Sequence, residues 1–191
     1  MNSQLLFATL ASVVSTLGTI PYVVDIFRLK TTPHIYSWFV WMVLQGTGFF
    51  LMISEGAGHG AVLIGVNALL CAITFTLSFK YGTKNITVFD TICFVGALLA
   101  MILWFFLHDA LLSIIVVSAI DLLAYFPTFR KAYTEPQTET VSAYLAGSLA
   151  CLLSLGALSS FSITTSLYLI VILVCNFALS SMILFRRRQV C

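Results

Sequence analysis

The chain has 191 residues, of which 60% are hydrophobic and only 8% are charged, and its formal net charge is +2. Roughly a quarter of the residues of an ordinary soluble domain are charged, so these few charges could not cover a water-exposed surface. The composition therefore excludes an ordinary soluble domain. The basic residues are scattered over several segments and form no stripe along a phosphate backbone, so we expect no nucleic-acid partner.

Seven apolar stretches follow one another along the chain, each close to the roughly 20 residues that a helix needs to cross the hydrocarbon core. In chain order they cover residues 4–24, 36–53, 60–79, 87–107, 109–129, 140–160 and 164–185. Together they nearly fill the chain and leave no room for a soluble domain. The sequence therefore predicts an all-α membrane protein with seven transmembrane helices in the lipid bilayer.

The basic residues follow only the first, third, fifth and seventh predicted spans. They are Arg28, Lys30, Lys80, Lys84, Arg130, Lys131, Arg186, Arg187 and Arg188. Because Lys and Arg collect in cytoplasmic loops, this pattern predicts an external N-terminus and a cytoplasmic C-terminus. The first span has no basic residue before it and the basic segment DIFRLK after it, so we expect a retained span and not a cleaved signal peptide.

Two distant segments share an order of residue types. TIPYVVDIFRLKTTPHIYSWF (19–39) and YFPTFRKAYTEPQTETVSAY (125–144) each contain a proline, a basic group and a second proline. Pro21 aligns with Pro127, and Asn67 in the third span has a place comparable to that of Asn176 in the seventh. Spans one to three and five to seven are therefore interpreted as two copies of one three-helix unit.

An odd-numbered unit ends on the opposite side of the membrane from its start, so a second copy in the same orientation needs one extra crossing. The fourth span supplies it, and the result is a pair of parallel repeats, an arrangement found in several transporters. The predicted organisation is a first repeat over residues 1–80, a linker helix over 81–107, and a second repeat with a basic tail over 108–191.

These motifs resemble the SWEET and PQ-loop superfamily of seven-helix membrane proteins. PTFRKAYTEPQTETVSAY matches through its leading residues Pro127 to Arg130, and PYVVDIFRLKTT fits the PQ-loop form through Pro21, Arg28, Lys30 and the following threonines. TTPHIYSWFVW and DLLAYFPTFRKAY also resemble a group of small bacterial members of this superfamily. The resemblance implies a 3+1+3 helix layout, transport of a solute and a bacterial plasma membrane. The glutamine of the PQ pair is replaced by Tyr22 and Thr128. The resemblance places a pocket tryptophan of sugar-carrying members in the second or sixth span, where the stretches GTGFFLMI and CLLSLGAL contain none.

Polar residues inside the spans are the candidates for a binding site, because they are costly in the bilayer unless they are satisfied. Asn67 and Asn176 would face each other across the repeat axis and form a solute pocket, as the resemblance also implies; the alternative is that each bonds a neighbouring helix. Asp121, near the middle of the fifth span, is the candidate proton carrier, or else a fixed carboxyl that holds helices together. Gln45 and Trp41, four residues apart on one helical face, are further candidates for the pocket.

The remaining assignments concern prolines, acidic residues and tryptophan near the cytoplasmic side. Pro21 and Pro127 would bend their helices and serve as hinges. Asp90 is a second, shallower candidate proton site, and Asp25 is expected to pair with Arg28 or Lys30. Trp38 and Trp41 both fit an interfacial aromatic belt, which is favoured for Trp38 and left open for Trp41.

No cofactor, metal or enzymatic chemistry is expected. The cysteines, which form no C-x-x-C pair, are interpreted as apolar packing residues: Cys71, Cys93, Cys151, Cys175 and Cys191. No G-x-S-x-G or H-E-x-x-H motif occurs. No lysine follows Lys131, so the seventh span has no lysine that could form a Schiff base with retinal. The sequence favours a transporter of a small polar solute by alternating access. A receptor or sorting protein that binds a ligand without moving it is the alternative, and a homo-oligomer is left open.

Overall fold

A computed structural model describes residues 3–106 and 109–190, so Cys191 lies outside the described residues. Within these ranges the chain folds into seven α-helices, each of which corresponds to one predicted apolar stretch. They are α1 Ser3–Phe27, α2 Ile35–Ser54, α3 Val62–Tyr81, α4 Val88–Phe105, α5 Ala110–Thr134, α6 Val141–Gly156 and α7 Ile163–Val190. Short 3₁₀ helices, Gly58–Ala61 and Pro136–Thr138, precede α3 and α6. The predicted all-α fold is confirmed.

Five of the helices are long and apolar enough to cross a membrane, namely α1, α2, α3 with its preceding 3₁₀ turn, α5 and α7. The apolar parts of α4 and α6 are shorter. Large apolar side chains cover the outside of the bundle, as Leu17, Leu69, Ile92, Leu152 and Phe177 illustrate. Such a surface suits lipid and would be unstable in water, so the helices indicate a protein embedded in a membrane.

The helices pack in an order that differs from their order in the chain. α1 lies against α3 and α6, and α2 lies against α3 and α5. α7 lies between α5 and α6, whereas α4 packs mainly on α5. The α1–α6 contact is close because Gly18 has no side chain: a Cβ there would collide with the Cβ of Ala146.

The two ends of the bundle have different chemistry. The loops after α1, α3 and α5 and the end of α7 meet at one end, which we call the basic end because it carries the arginine and lysine residues. At the other end, called the opposite end, the turn before α3 contacts the end of α6: Ser154 donates to the carbonyl of Gly60 at 2.8 Å, and the amide of Ser159 donates to the carbonyl of Ala57 at 3.2 Å.

Candidate functional site: a central cavity

A cavity lies in the centre of the bundle, between six of the seven helices. Its volume is about 70 Å³. α4 contributes none of the described residues that line it, which are Ser15, Thr19, Trp38, Trp41, Gln45, Asn67, Leu70, Cys71, Tyr125, Ala143, Tyr144, Gly147, Ile172 and Asn176. The structure thus brings together four of the five predicted solute-binding residues.

Both predicted asparagines border the cavity, and each is held by a hydroxyl group from a neighbouring helix. Ser15 on α1 donates to Oδ1 of Asn67 at 2.6 Å, and the Tyr125 hydroxyl on α5 donates to Oδ1 of Asn176 at 3.0 Å. In this orientation both Nδ2 groups are left without an acceptor among the described residues. An amide held in this way offers two N–H donors to a ligand.

Aromatic rings form one wall of the cavity. The rings of Trp41 and Tyr125 lie with their centroids 4.7 Å apart, and those of Trp38 and Trp41 lie 5.2 Å apart. Trp38 is only 8% exposed and donates its Nε1–H to the hydroxyl of Tyr22 at 3.3 Å. The prediction that Trp38 belongs to an interfacial belt is therefore wrong, because its ring faces the interior and not lipid headgroups.

Trp41 and Gln45 bring unused hydrogen-bonding groups to the same wall. The N–H of Trp41 and Oε1 of Gln45 are buried and have no partner in the described chain. Both side chains border the cavity. One donor and one acceptor, a helical turn apart, are thus available to a bound solute.

Asp121 is buried inside the bundle but does not border the cavity. It is one turn before Tyr125 on α5, is 1% exposed, and has no hydrogen-bond partner for either carboxylate oxygen among the described residues. The side chains of Cys71, Cys151 and Tyr168 from the surrounding helices lie within electrostatic range of its carboxyl. The cysteines here are free and buried, in keeping with the expected packing role.

A buried ion pair with tyrosine partners lies between the cavity and the basic end. Lys131 lies 2.7 Å from Oε1 of Glu139, and both side chains are fully buried. Oε2 of Glu139 accepts from Tyr144, a cavity residue, at 2.8 Å and from Tyr22 at 3.3 Å. The pair thus connects α1, α5 and α6 directly beneath the cavity.

Further contacts tighten the basic end. The guanidinium of Arg187, near the end of α7, donates to the backbone carbonyls of Glu139 and Pro136. Asp25 accepts from the hydroxyl of Thr140 at 2.8 Å, and its carboxylate pairs with neither Arg28 nor Lys30 among the described residues. The predicted local pair of Asp25 is therefore wrong, because the carboxylate reaches across to the α5–α6 loop instead.

Asp90 forms a separate cluster that holds α4 against α5. Arg130 donates to both carboxylate oxygens at 2.8 Å, and Nε2 of His34 lies 3.4 Å from Oδ2. Burial lowers the pKa of His34, which sits just before α2. Asp90 is thus an ion-pair partner, away from the cavity, and a bidentate arginine–carboxylate pair of this kind is among the stronger polar contacts.

Two predicted hinge residues lie inside helices, Pro21 in α1 and Pro127 in α5. Each removes one intrahelical hydrogen bond, and each lies between the cavity and the basic end. Within the described residues no group of three or more His, Cys, Asp or Glu side chains could hold a metal ion.

Sequence reasoning missed several residues of the site, although the alignment on the two prolines could have found some of them. Ser15 precedes Pro21 by six residues, just as Asp121 precedes Pro127, and Thr19 corresponds to Tyr125 in the same way. Lys131 and Glu139 gave no such signal, because charged loop residues are usually solvated.

No protein-family model, curated protein or solved structure matches the chain.

Proposed function

We propose that the protein is a transporter that moves a small polar solute across the membrane by alternating access through the central cavity. The observation that carries this proposal is the cavity itself, with Asn67 and Asn176 on opposite helices of its lining. A carrier needs a site near the middle of the bundle that either end can reach, and polar groups are retained inside a membrane chiefly where they serve such a site.

The repeat interpretation is part of the proposal, and the packing supports it. α1 lies on α6 as α5 lies on α2, and α3 contacts α1 and α2 as α7 contacts α5 and α6. α4 is left outside the cavity, as a linker helix would be. The organisation 3+1+3 and the resemblance to SWEET and PQ-loop proteins remain proposals that rest on this pattern and on the proline motifs.

The lining favours an uncharged solute. The side chains that border the cavity within the described chain are hydroxyl, amide, aromatic, thiol and aliphatic groups, without a lysine, arginine, aspartate or glutamate. A charged solute would lose its hydration there without gaining a counter-charge. Asn67, Asn176, Trp41 and Gln45 supply the hydrogen bonds.

Contacts lie between the cavity and each end of the bundle, and transport would have to break them in turn. The Lys131–Glu139 pair lies toward the basic end, which the distribution of basic residues predicts to be cytoplasmic. The contacts between the turn before α3 and the end of α6 lie at the opposite end. Pro21 and Pro127 are the proposed hinges, and Asp121 is the proposed coupling group, with a proton as the ion that the sequence suggests.

Thermal stabilisation tests the binding part of this proposal. The purified chain is heated with sugars, amino acids, organic acids and vitamins, alongside Asn67→Ala and Asn176→Ala. We expect a neutral polar solute to raise the melting temperature of the wild type, and neither variant to respond. A solute that stabilises all three proteins equally would move the site away from the asparagines.

Flux separates transport from binding alone. The same solute is followed into sealed vesicles that contain the wild type or Asn176→Ala. Transport predicts uptake that the variant abolishes. A solute that binds at the asparagines but does not cross the vesicle membrane would identify a receptor or sorting protein instead.

A further inference from the structure

Five buried oxygen atoms beside the cavity have no hydrogen-bond partner in the described part of the chain. They are both carboxylate oxygens of Asp121, the hydroxyls of Ser118 and Tyr168, and Oε1 of Gln45. The four side chains are 1%, 5%, 0% and 6% exposed, respectively. Each buried oxygen without a partner costs free energy, and several in one region call for a ligand that would satisfy them together.

Ser118, Asp121 and Gln45 lie on neighbouring turns of the α2–α5 contact. Ser118 and Asp121 are three residues apart and share a face of α5. α2 and α5 run antiparallel, with Trp41 packed on Tyr125. One turn further along α2 is Gln45, and one turn back along α5 is Asp121, so these two turns face each other.

Tyr168 approaches the same part of α2 from α7. Its ring fills the space beside Gly48 on α2, where a Cβ would lie 2.7 Å from Cε1 of the ring. The Tyr168 hydroxyl lies within electrostatic range of the Asp121 carboxyl. Three helices therefore direct oxygen atoms into one buried region, and none of these oxygens hydrogen-bonds another.

These oxygen atoms are the kind of ligands that bind a hard cation. Carboxylate, amide carbonyl and hydroxyl oxygens are the ligands that such ions take, whereas softer metals take nitrogen or sulfur. A proton on Asp121 would form one O–H and could satisfy only one other oxygen. A cation is contacted by several oxygens at once. When Asp121 is ionised the set carries a single negative charge, which one monovalent ion balances, whereas a divalent ion would leave a buried positive charge.

We propose that Gln45, Ser118, Asp121 and Tyr168 form a binding site for a hard monovalent cation, Na⁺ or K⁺. Gln45 borders the solute cavity as well, so the cation would fix the side chain that also meets the solute. Its use in coupling rests on the proposed transport function, whereas binding of the cation does not.

The test is the melting temperature of the purified full chain at constant ionic strength, as choline chloride is replaced by NaCl or by KCl. We expect a saturable rise with one or both ions in the wild type and its loss in Asp121→Asn. Tyr168→Phe removes one ligand and should raise the half-saturating concentration at least about tenfold. The matched control is Asp109→Asn, which removes a negative charge from the start of the same helix, where asparagine caps equally well, and it should respond like the wild type.

Other outcomes overturn the site. They are a wild type that responds to neither ion, or one stabilised by acidification alone, or an Asp121→Asn protein stabilised as strongly as the wild type. If Asp121→Asn does not fold, Tyr168→Phe and Ser118→Ala decide, and unchanged half-saturation in both would overturn the site.

The solute experiments distinguish a failure of the cation proposal from a failure of the transport proposal. Solute stabilisation that needs the two asparagines but is the same in choline and in sodium or potassium would overturn coupling and leave the transport proposal standing. A cation response that needs Asp121, without binding of any solute, supports the cation site and contradicts transport.

Discussion

At the scale of single residues, the cavity depends on side chains that hold other side chains. The hydroxyls of Ser15 and Tyr125 fix the amides of Asn67 and Asn176, so the free Nδ2 groups point in defined directions. A preorganised donor loses less entropy when a ligand binds. Binding should therefore be sensitive to small displacements of either asparagine.

Gly147 provides such a displacement. A Cβ at this position would lie 2.8 Å from Nδ2 of Asn176, so alanine would push the amide from its place. We expect Gly147→Ala to weaken solute binding about tenfold, which corresponds to roughly 1.4 kcal/mol, as measured by thermal-shift titration with the solute found in the screen.

The control for Gly147→Ala is Gly46→Ala, because nothing lies within 4 Å of a Cβ at Gly46. Alanine is favoured over glycine in a helix by roughly 0.5–1 kcal/mol, so Gly46→Ala should stabilise the protein and leave binding unchanged. Gly147→Ala should gain less stability, since the contact with Asn176 opposes it. Equal binding by the two variants would contradict the role of Asn176.

The sequence could identify part of this site and not the rest, for a physical reason. Asn67 and Asn176 were predictable because a polar residue in an apolar span is unusual, and each indeed borders the cavity. Trp38 and Asp25 were misjudged, since exposure depends on which way a helix is rotated and which loop approaches it. Only tertiary packing decides these questions.

At the scale of helices and loops, the buried Lys131–Glu139 pair joins elements that are distant in the chain. The Lys131 ammonium donates to the carbonyls of Thr32 and Thr138 as well as to Glu139, at 2.6, 2.9 and 2.7 Å. All three of its protons are therefore used. Such a charge is stable inside a protein only with its complete set of partners.

Removal of the Lys131 charge should strongly destabilise the folded protein. Lys131→Met leaves Glu139 as an uncompensated buried charge, and we expect a loss of about 3–5 kcal/mol in the free energy of unfolding, measured by denaturant titration in detergent. The exposed Lys84 provides the control, and Lys84→Met should change stability by less than about 0.5 kcal/mol.

A double variant tests whether the two charges act as a pair. Lys131→Met with Glu139→Gln removes both charges, so it should be less destabilised than Lys131→Met alone, with a coupling energy of at least about 1 kcal/mol. If the two substitutions cost the sum of their separate effects, the pair does not hold the basic end together.

At the scale of the whole molecule, apolar length alone predicted the number of helices, because the thickness of the bilayer sets the length of a span. The α2 prediction of 36–53 agrees closely with Ile35–Ser54. The prediction of 140–160 for α6 was too long, since this helix ends at Gly156 and the chain turns there to pack Leu158 against Gly60. A pattern of apolar residues cannot distinguish such a packed turn from another turn of helix.

The proposed orientation follows from charge and gives the last prediction. All basic residues of the chain lie near or just after the C-terminal ends of the odd-numbered helices, so the basic end should face the cytoplasm and the turn after α2 should face outward. Single cysteines at the exposed positions Lys84 and His59 are introduced into a chain with its native cysteines replaced. A membrane-impermeant maleimide should label His59→Cys in intact bacterial cells, and Lys84→Cys only in inverted vesicles. The reverse pattern would invert the topology, and labelling of both from one side would contradict a span at α3.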